Sequence, residues 1–238
     1  VSERWLTAQA VVGFWPAQSH AEDIYVETEK NKQTTLHFFF FYAQKPDSRP
    51  NLCLSDFVAS KTSTVQDYIG AFAVNCGEGV EARAKAFESE LDDYSSILLK
   101  ALADRFAESC TEWLHHKVRT ELWPYAINET LDNESLIQEK YQGIRPAPGY
   151  PACPDHSEKS TLFKLLDAEN QIGLKLTENF AMYPASAVSG YYFSHPQSQY
   201  FVVGRLSKEQ VENYAHRKDI SILQAEKFLS ANLDYDPE

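Results

Sequence analysis

The amino-acid sequence predicts an α+β fold, and three observations support that prediction. Near the N-terminus, runs of β-branched and aromatic residues at 11–17, 23–27 and 34–42 are separated by short polar turns, a pattern typical of antiparallel strands. The segment from Val80 to Leu122 has the apolar spacing of a helix. Helices and strands then follow one another in mixed order, which favours α+β over a doubly wound parallel sheet.

Recognisable breaks bound the N-terminal strands. The first strand is expected to end at Pro16, since proline cannot donate a hydrogen bond to a neighbouring strand. Residues 30–33 are expected to form a turn, and residues 46–50, which begin and end with proline, are expected to form a loop. A further apolar run at 68–74 predicts a strong strand before the long helix.

The long helix carries a stripe of large apolar side chains. Leu91, Leu98, Leu102, Phe106 and Trp113 recur at spacings that place them on one helix face. The pattern predicts that this face is buried in the core.

Side-chain caps indicate where the remaining helices begin. Asn133 is a suitable N-cap for a short helix that ends near Gly143. Asp155 stands three residues before Glu158, a spacing like that of a capping box, and predicts a helix to about residue 170. Capping-box patterns at Ser207 and Ser221 predict two closing helices, and aromatic strands are expected at 180–182, 186–193 and 200–203, the last two joined as a hairpin.

The composition suits a chain with a substantial core and argues against some classes of function. Of the 238 residues, 43% are hydrophobic, and the formal net charge is -12. This length fits one large domain or two small ones. Nucleic-acid binding requires a basic surface that displaces counterions, so the acidic balance argues against it. No apolar stretch reaches the ~20 residues that span a bilayer, so no membrane interaction is expected.

The cysteines and histidines do not predict a metal site. The four cysteines are widely spaced and form no C-x-x-C pair, and scattered thiols fit a reducing compartment, so we expect a cytoplasmic location. His115 and His116 are adjacent on the predicted helix and point about 100° apart, which favours a solvated helix face. His37 lies in an apolar strand run and is expected to be a hydrogen-bonded strand residue.

The most unusual segment is a proline-rich stretch that we call the ribbon, residues 145–151. Its three prolines fix the backbone and remove donors, so it cannot be a helix or a central strand. Arg145 can hold a carboxylate through two parallel hydrogen bonds, and Tyr150 adds a flat ring. Gly149 allows close approach to the backbone. The ribbon therefore fits either a ligand with a carboxylate and a flat base or a rigid connector with a structural arginine.

Several separated segments resemble the activation domain of cobalamin-dependent methionine synthase, and the similarity extends over nearly the whole chain. The longest is YQGIRPAPGYPACPDH at 141–156, which contains the ribbon. The others are DYIGAFAV at 67–74, ALADRFAE at 101–108, KLTENFAM at 175–182, AVSGYYFSHP at 187–196 and QVENYAHRK at 210–218.

The resemblance implies one C-shaped α+β domain over residues 1–238, with a bent antiparallel sheet flanked by helices. It implies that S-adenosylmethionine binds in a shallow groove and is held over a cobalamin on a neighbouring domain. In that role the domain repairs cobalamin oxidised during turnover, with an electron from a flavodoxin-type or flavoprotein donor. Cobalamin and zinc of the parent enzyme are expected on other domains. This domain alone is not expected to make methionine, and no catalytic residue is expected on it.

The resemblance also assigns ligand-binding residues on the ribbon. Arg145 is expected to hold the methionine carboxylate, and Ala147 and Gly149 to offer backbone contacts. Tyr150 is expected to line the groove on the cobalamin side. No metal ligand is expected.

Three further residues are assigned by the resemblance outside the ribbon. Tyr200 is expected to contact the ligand from a neighbouring strand, and Glu108 to contribute a carboxylate from the long helix. Phe201 stands where some relatives carry a second tyrosine. The family's domain begins upstream of Val1, so a ligand-binding aspartate of that upstream part is expected to be absent, and the chain is expected to be a fragment.

Two alternative functions remain open at the level of sequence. One is a self-contained S-adenosylmethionine-dependent methyltransferase, because Gly77 and Gly79 follow an apolar run, as in a nucleotide-binding turn. However, two glycines between a strand and a helix are a weak signal. The other is a docking module for the cobalamin domain and the reductase that binds no small ligand.

Overall fold

The computed structural model describes residues 5–28, 32–39 and 51–237. Within these residues the chain forms a five-stranded sheet in the order β3-β2-β1-β4-β7, a two-stranded sheet of β5 and β6, and a set of helices. The strands are β1 (Gln9–His20), β2 (Asp23–Thr28), β3 (Lys32–His37), β4 (Asp67–Asn75), β5 (Lys175–Leu176), β6 (Met182–Tyr183) and β7 (Ala187–Tyr192). The helices are α1 (Val80–Ser89), α2 (Asp93–Lys117), α3 (Asn133–Ile137), α4 (Lys159–Leu166), α5 (Ala168–Ile172), α6 (Lys208–Lys218) and α7 (Ile222–Phe228).

The N-terminal strands pair antiparallel, as the sequence predicted. β1 pairs with β2 from Ala17↔Val26 to His20↔Asp23, and β2 pairs with β3 along its whole length. Ile24 lies opposite Leu36 in this register, and both side chains are fully buried. The predicted α+β class, with an antiparallel sheet and flanking helices, is confirmed.

Two strand boundaries differ from the prediction. β1 continues past Pro16 to His20, so the predicted end at Pro16 was wrong, and its pairing with β2 begins at Ala17. The aromatic run leaves the sheet after His37, whose Nδ1 lies 2.9 Å from Oδ1 of Asp23 on β2. That contact confirms His37 as a hydrogen-bonded strand residue. Residues 40–42 and 46–50, and the first part of the turn at 30–33, lie outside the described residues.

The chain divides into two compact units, and three of the boundaries fall inside β1, β4 and β7. The first unit comprises Val1–Gly13, Ala71–Tyr141 and Leu162–Gly190, and the second Phe14–Gly70, Gln142–Thr161 and Tyr191–Glu238. In the first unit Val80, Leu99 and Ala103 form an apolar cluster. In the second unit a larger cluster joins Phe39, Val203, Leu206, Val211, Tyr214, Ala215, Ala225, Leu229 and Leu233.

The predicted long helix is two helices with a break at Glu90–Asp92. Leu91 has a φ of 62°, a left-handed conformation that a helix cannot accommodate. Asp92 then begins α2 as an N-cap, its carboxylate accepting a hydrogen bond from the backbone N–H of Ser95 at 3.0 Å. The acidic cap therefore restarts the helix after the break.

The predicted buried stripe of this region is exposed, so that prediction was wrong. Leu91, Leu98, Leu102, Phe106 and Trp113 all lie at the surface, and Leu91 is 91% accessible. The buried residues of α2 are instead the small Ser96, Ala103, Ala107 and Thr111 together with Leu99, Leu114 and His115. Small residues allow close packing with the neighbouring α1, and the large apolar residues therefore lie on the remaining faces.

The segment after α2 contains a buried charge pair. A π-helical turn, Val118–Leu122, carries the fully buried Arg119, whose Nε and Nη2 donate to the two carboxylate oxygens of Glu129 at 2.8 and 2.7 Å. His116 Nδ1 lies 3.1 Å from Glu129 Oε1. His115 is fully buried and packs edge-on against Tyr141, so the prediction that it lies on a solvated face was wrong.

The predicted caps of the last two helices are present. Ser207 and Gln210 form a reciprocal capping box at the start of α6. The Ser221 side chain accepts from Gln224 N–H at the start of α7. None of the helices within the described residues is long and apolar enough to cross a membrane.

Three other boundaries in this half of the chain differ from the prediction. α3 is capped by Asp132 rather than Asn133 and ends at Ile137. α4 ends at Leu166, because Asp167 adopts a φ of 50°. Residues 200–203 form no strand, so the predicted hairpin with 186–193 was wrong.

Candidate functional site

The ribbon alternates between buried and accessible residues. Pro146 and Pro148 are buried, whereas Arg145, Ala147 and Gly149 are partly accessible. Tyr150 is 62% accessible. Pro146 and Pro148 thus anchor the ribbon inward, and the residues beside them remain available at the surface.

Two consecutive turns, each with proline in its second position, shape the ribbon. In the first turn Tyr150 N–H donates to the Ala147 carbonyl at 3.1 Å, with Pro148 and Gly149 between them. Gly149 has a φ of 93°, and proline followed by a glycine of positive φ is the combination that a type II turn requires. In the second turn Cys153 N–H donates to the Tyr150 carbonyl at 2.9 Å.

Backbone hydrogen bonds hold the ribbon at both ends. Ile144 exchanges two hydrogen bonds of 3.0 Å with Phe193, and Tyr191 N–H donates to the Pro146 carbonyl at 2.9 Å. At the far end Val203 N–H donates to the Pro151 carbonyl, also at 2.9 Å. The segment at 200–203 therefore supports the ribbon, although it is not a strand.

Tyr200 contacts the first residue of the ribbon directly. Its hydroxyl accepts a hydrogen bond from the backbone N–H of Arg145 at 3.0 Å. Two residues assigned to the ligand from distant parts of the sequence are thus brought together.

The imidazole of His156 occupies the space beside the α-carbon of Gly149. A Cβ atom at Gly149 would lie 2.1 Å from Cε1 of His156, so only glycine fits here. The Lys159 ammonium lies 2.6 Å from Nδ1 of His156. Burial lowers the pKa of His156, and the charge of Lys159 lowers it further, so the ring is a neutral acceptor at physiological pH. The sequence suggested that Gly149 admits a ligand, and the structure shows that one side of it packs on His156.

A buried charge cluster follows the ribbon; we call it the Lys218 cluster. The Lys218 ammonium, on α6, donates to Asp155 Oδ2, Glu158 Oε1 and Ser157 Oγ, each at 2.7 Å. It also lies 3.0 Å from the hydroxyl of Tyr214, which donates to Asp155 Oδ2 at 2.6 Å. Asp155 and Glu158 are almost completely buried. The cluster fixes the chain where it leaves the ribbon.

The pKa values in the Lys218 cluster follow from burial and charge pairing. Burial alone would raise the pKa of Asp155, but the charge of Lys218 and three hydrogen-bonding partners lower it. Burial raises the pKa of Glu158, and Lys218 offsets this only in part. Burial would lower the pKa of Lys218, but the two carboxylates raise it. Lys218 is therefore charged over the whole physiological range.

A second charge contact joins α6 to the N-terminal sheet. The guanidinium of Arg217 contacts Asp23, donates to Glu22 Oε2 at 2.7 Å and donates to the Phe38 carbonyl at 3.0 Å. Both Arg217 and Lys218 lie in the segment at 210–218 that resembles the family. Nothing in the spacing of residues indicated their acidic partners, which lie far away in sequence.

The structure places the predicted ligand-binding residues as follows. Arg145, Ala147, Gly149, Tyr150 and Tyr200 come together at the ribbon, in the second unit. Phe201, also in that unit, packs against Phe57 and the larger apolar cluster. Glu108 is exposed on α2, in the first unit. The ligand contacts of all seven residues remain predictions.

Gly77 and Gly79, on which the alternative methyltransferase hypothesis rests, have structural roles of their own. A Cβ atom at Gly77 would lie 1.8 Å from the carbonyl oxygen of Ala185, so glycine is required by close packing. Gly79 has a φ of 75° and caps α1. The described strand pairs are antiparallel, whereas that alternative requires a parallel sheet. Among the described residues, no group of three or more His, Cys, Asp or Glu side chains could hold a metal ion.

The fold and the ribbon define an α+β domain that presents a rigid, accessible backbone segment. The chain matches the family model of the vitamin B12-dependent methionine synthase activation domain over residues 1–219. It is also similar to the crystal structure of the MetH reactivation domain bound to AdoHcy, with a TM-score of 0.95 and 49% sequence identity. That match covers 99% of this chain and 73% of the other. The chain therefore belongs to the family of activation domains of vitamin B12-dependent methionine synthase, which is a methyltransferase.

Proposed function

We propose that the chain binds S-adenosylmethionine along the ribbon and holds its methyl group for transfer to a cobalamin carried by a neighbouring domain. The accessibility of Arg145, Ala147, Gly149 and Tyr150 beside the buried Pro146 and Pro148 is the observation that carries this proposal. The AdoHcy bound by the similar reactivation domain supports it, because AdoHcy is S-adenosylmethionine without the transferred methyl group.

The ribbon residues suit the two ends of this ligand. The Arg145 guanidinium would pair with the methionine carboxylate in a bidentate geometry. The backbone at Ala147 and Gly149 would offer polar contacts, and the accessible ring of Tyr150 would cover the reacting side. Tyr200 would support the site through its hydrogen bond to Arg145.

Two further residues are assigned to the ligand by the resemblance. Glu108 is an exposed carboxylate, and we assign to it the ligand's ammonium group. Phe201 has its ring engaged with Phe57, so we assign to it backbone contacts only.

The role of these residues is to position the methyl donor. The sulfonium of S-adenosylmethionine makes its methyl group electrophilic, and a reduced cobalt on the neighbouring domain would supply the nucleophile. Holding two reactants in line can contribute roughly 7–11 kcal/mol to a reaction. No proton leaves the methyl group, so the chain needs no general base.

The proposed setting is the parent enzyme. The cobalamin domain is the expected partner, with a flavodoxin-type or flavoprotein donor supplying the electron that returns oxidised cobalamin to use. Cobalamin and zinc would be bound by other domains, and the chain alone would form no methionine. A cytoplasmic location fits these partners.

Calorimetric titration with AdoHcy and S-adenosylmethionine tests the proposal. Arg145→Ala should weaken binding by about 1.5–3 kcal/mol, the size of a lost charged hydrogen-bond pair. Arg83→Ala is the matched control, because Arg83 is exposed on α1 and stacks on Trp5. Equal affinities of the Arg145 and Arg83 variants would contradict the proposed site. An absence of heat with both ligands would favour the docking module without a small ligand.

A further inference from the structure

The imidazole of His156 packs directly on the backbone of the ribbon. A Cβ atom built at Gly149 would lie 2.1, 2.3 and 2.7 Å from Cε1, Nδ1 and Nε2 of this ring. Three ring atoms thus crowd one side of the glycine, in the turn that the hydrogen bond from Tyr150 N–H to the Ala147 carbonyl closes. The ring therefore supports the same backbone that is proposed to contact the ligand.

Backbone hydrogen bonds hold His156 in place against the ribbon. The Asp155 carboxylate accepts from the backbone N–H and from the hydroxyl of Ser157, both at 2.7 Å, and so caps the turn His156–Glu158 that leads into α4. Gly149 N–H donates to the Cys153 carbonyl at 2.7 Å. The ribbon and the turn that carries His156 are thus joined at Gly149 by the main chain as well as by the ring.

The ammonium of Lys159 fixes the protonation of this ring. Its Nζ lies 2.6 Å from Nδ1 of His156, and an ammonium group has donors but no acceptor. Nδ1 must therefore carry a lone pair, so the single proton of the neutral imidazole lies on Nε2. Lys159 is only 7% accessible, so this contact is not a loose pair at the surface.

A second proton on His156 would break this arrangement. Nδ1 would become a donor facing an ammonium, and two positive charges would stand at hydrogen-bond distance. Burial and the charge of Lys159 lower the pKa of His156, and Asp155 opposes them. Among the described residues these are the charged groups that act on the ring, and the Asp155 carboxylate is shared with Lys218. A protonated ring must turn away from Lys159, which removes the support from Gly149.

We propose that His156 is a positioning residue for the ligand, because its neutral ring, accepting from Lys159, holds the Gly149 turn in the shape that binds S-adenosylmethionine and AdoHcy. This inference rests on the proposed function of the ribbon. It means that the ligand binds a chain with neutral His156 more tightly than a chain with protonated His156. Since such coupling is reciprocal, binding of the ligand also lowers the pKa of His156.

Proton NMR of the native chain tests this coupling directly. The Cε1 proton of His156 is assigned in the isotopically labelled chain and titrated with and without saturating AdoHcy. We expect AdoHcy to lower the pKa of His156. Calorimetric titration one pH unit above and one pH unit below the pKa of the free chain should give an affinity about tenfold weaker at the lower pH. A titration of His156 that AdoHcy leaves unchanged would overturn the inference.

His156→Gln separates positioning from a merely structural role. The glutamine carbonyl can accept from Lys159, but the amide takes up no proton. At the higher pH the affinity should stay within about fivefold of the native value, the size of one weakened hydrogen bond, and the tenfold loss at the lower pH should disappear. His20→Gln, an exposed histidine at the end of β1, is the control and should keep the native pH dependence. The same pH dependence in His156→Gln as in the native chain would show that another group titrates.

The outcomes also separate this inference from the proposed function. Binding of AdoHcy whose affinity does not depend on the protonation of His156 would overturn the positioning role and leave the proposed function standing. An absence of binding at both pH values would overturn the proposed function, and this inference with it. The NMR titration of the native chain decides the question even if the glutamine variant fails to fold.

Discussion

The hydroxyl of Tyr200 accepts a hydrogen bond from the backbone N–H of Arg145 at 3.0 Å. This contact joins the segment after β7 to the first residue of the ribbon. It fixes the peptide from which the Arg145 side chain extends, so Tyr200 supports the arginine that is proposed to hold the ligand carboxylate.

Tyr200→Phe should therefore weaken the binding of AdoHcy without much effect on folding. The loss of one hydrogen bond predicts a decrease of about 1 kcal/mol, or about fivefold in affinity. Calorimetric titration measures the affinity, and thermal unfolding checks the fold. Tyr183→Phe is the control, since Tyr183 is an exposed tyrosine of the first unit. An unchanged affinity in the Tyr200 variant would show that the hydroxyl plays no part in binding.

Gly149→Ala should destabilise the chain more than an ordinary glycine substitution in the left-handed region. The new methyl group would add both backbone strain and a clash with His156, for a total of roughly 2–4 kcal/mol. Gly173→Ala is the matched control, because Gly173 has a φ of 65° but nothing within 4 Å of the added carbon. Gly173→Ala should lower the free energy of unfolding by only about 1 kcal/mol.

Urea denaturation of the two alanine variants gives both free energies of unfolding. The combination of Gly149→Ala with His156→Ala should recover part of the loss, since the clash is then removed. Equal losses for Gly149 and Gly173 would mean that His156 does not constrain the ribbon.

Lys218→Met should destabilise the chain by about 3–5 kcal/mol near neutral pH, because it leaves two buried carboxylates without their cation. In the native chain the pKa of Lys218 is raised. The charged lysine therefore stabilises the fold fully below the ordinary lysine pKa, and this stabilisation is lost only as the pH rises through the pKa that Lys218 has in the folded chain. In the variant, burial should raise the pKa of both Asp155 and Glu158. At low pH these carboxyls are protonated and neutral, so the variant keeps more of its stability. As the pH rises they ionise without a cation, and that stability is lost.

The loss caused by Lys218→Met should consequently be smaller at pH 5 than at pH 8. Free energies of unfolding from urea titrations at the two pH values provide the measurement. Lys227→Met, an exposed lysine on α7, is the control and should show almost no loss at either pH. A loss that is independent of pH would argue against carboxylate repulsion as its cause.

Truncation of two adjacent leucines on α2 should destabilise the chain to very different extents. Leu99 is 5% accessible and packs with Val80 and Ala103, whereas Leu98 is 42% accessible. Leu99→Ala should cost roughly 2–4 kcal/mol, since it leaves a cavity, and Leu98→Ala less than about 1 kcal/mol. Thermal or urea unfolding of the pair measures both. A larger loss of unfolding free energy at Leu98 would mean that the face predicted from the sequence is the buried one.

The sequence predicted the parts of this fold that depend on local chemistry. The capping box at Ser207, the antiparallel N-terminal strands and the proline-bounded ribbon were each recognisable from neighbouring residues. The apolar pattern predicted the wrong buried face for α2, because large apolar side chains normally indicate core, whereas close packing there uses alanine and serine.

Features that depend on distant partners could not be predicted from one sequence. The Lys218 cluster joins residues about sixty positions apart, and no periodic pattern links them. The contact of Gly149 with His156 could not be predicted either, although both lie in the segment 141–156, because it depends on how the second turn folds back.

The anchored prolines of the ribbon have a thermodynamic consequence for recognition. Ordering a flexible backbone on complex formation costs about 1–2 kcal/mol for each residue. Here the conformational entropy is already lost when the protein folds, so a ligand encounters a preorganised surface and retains more of its contact energy as affinity.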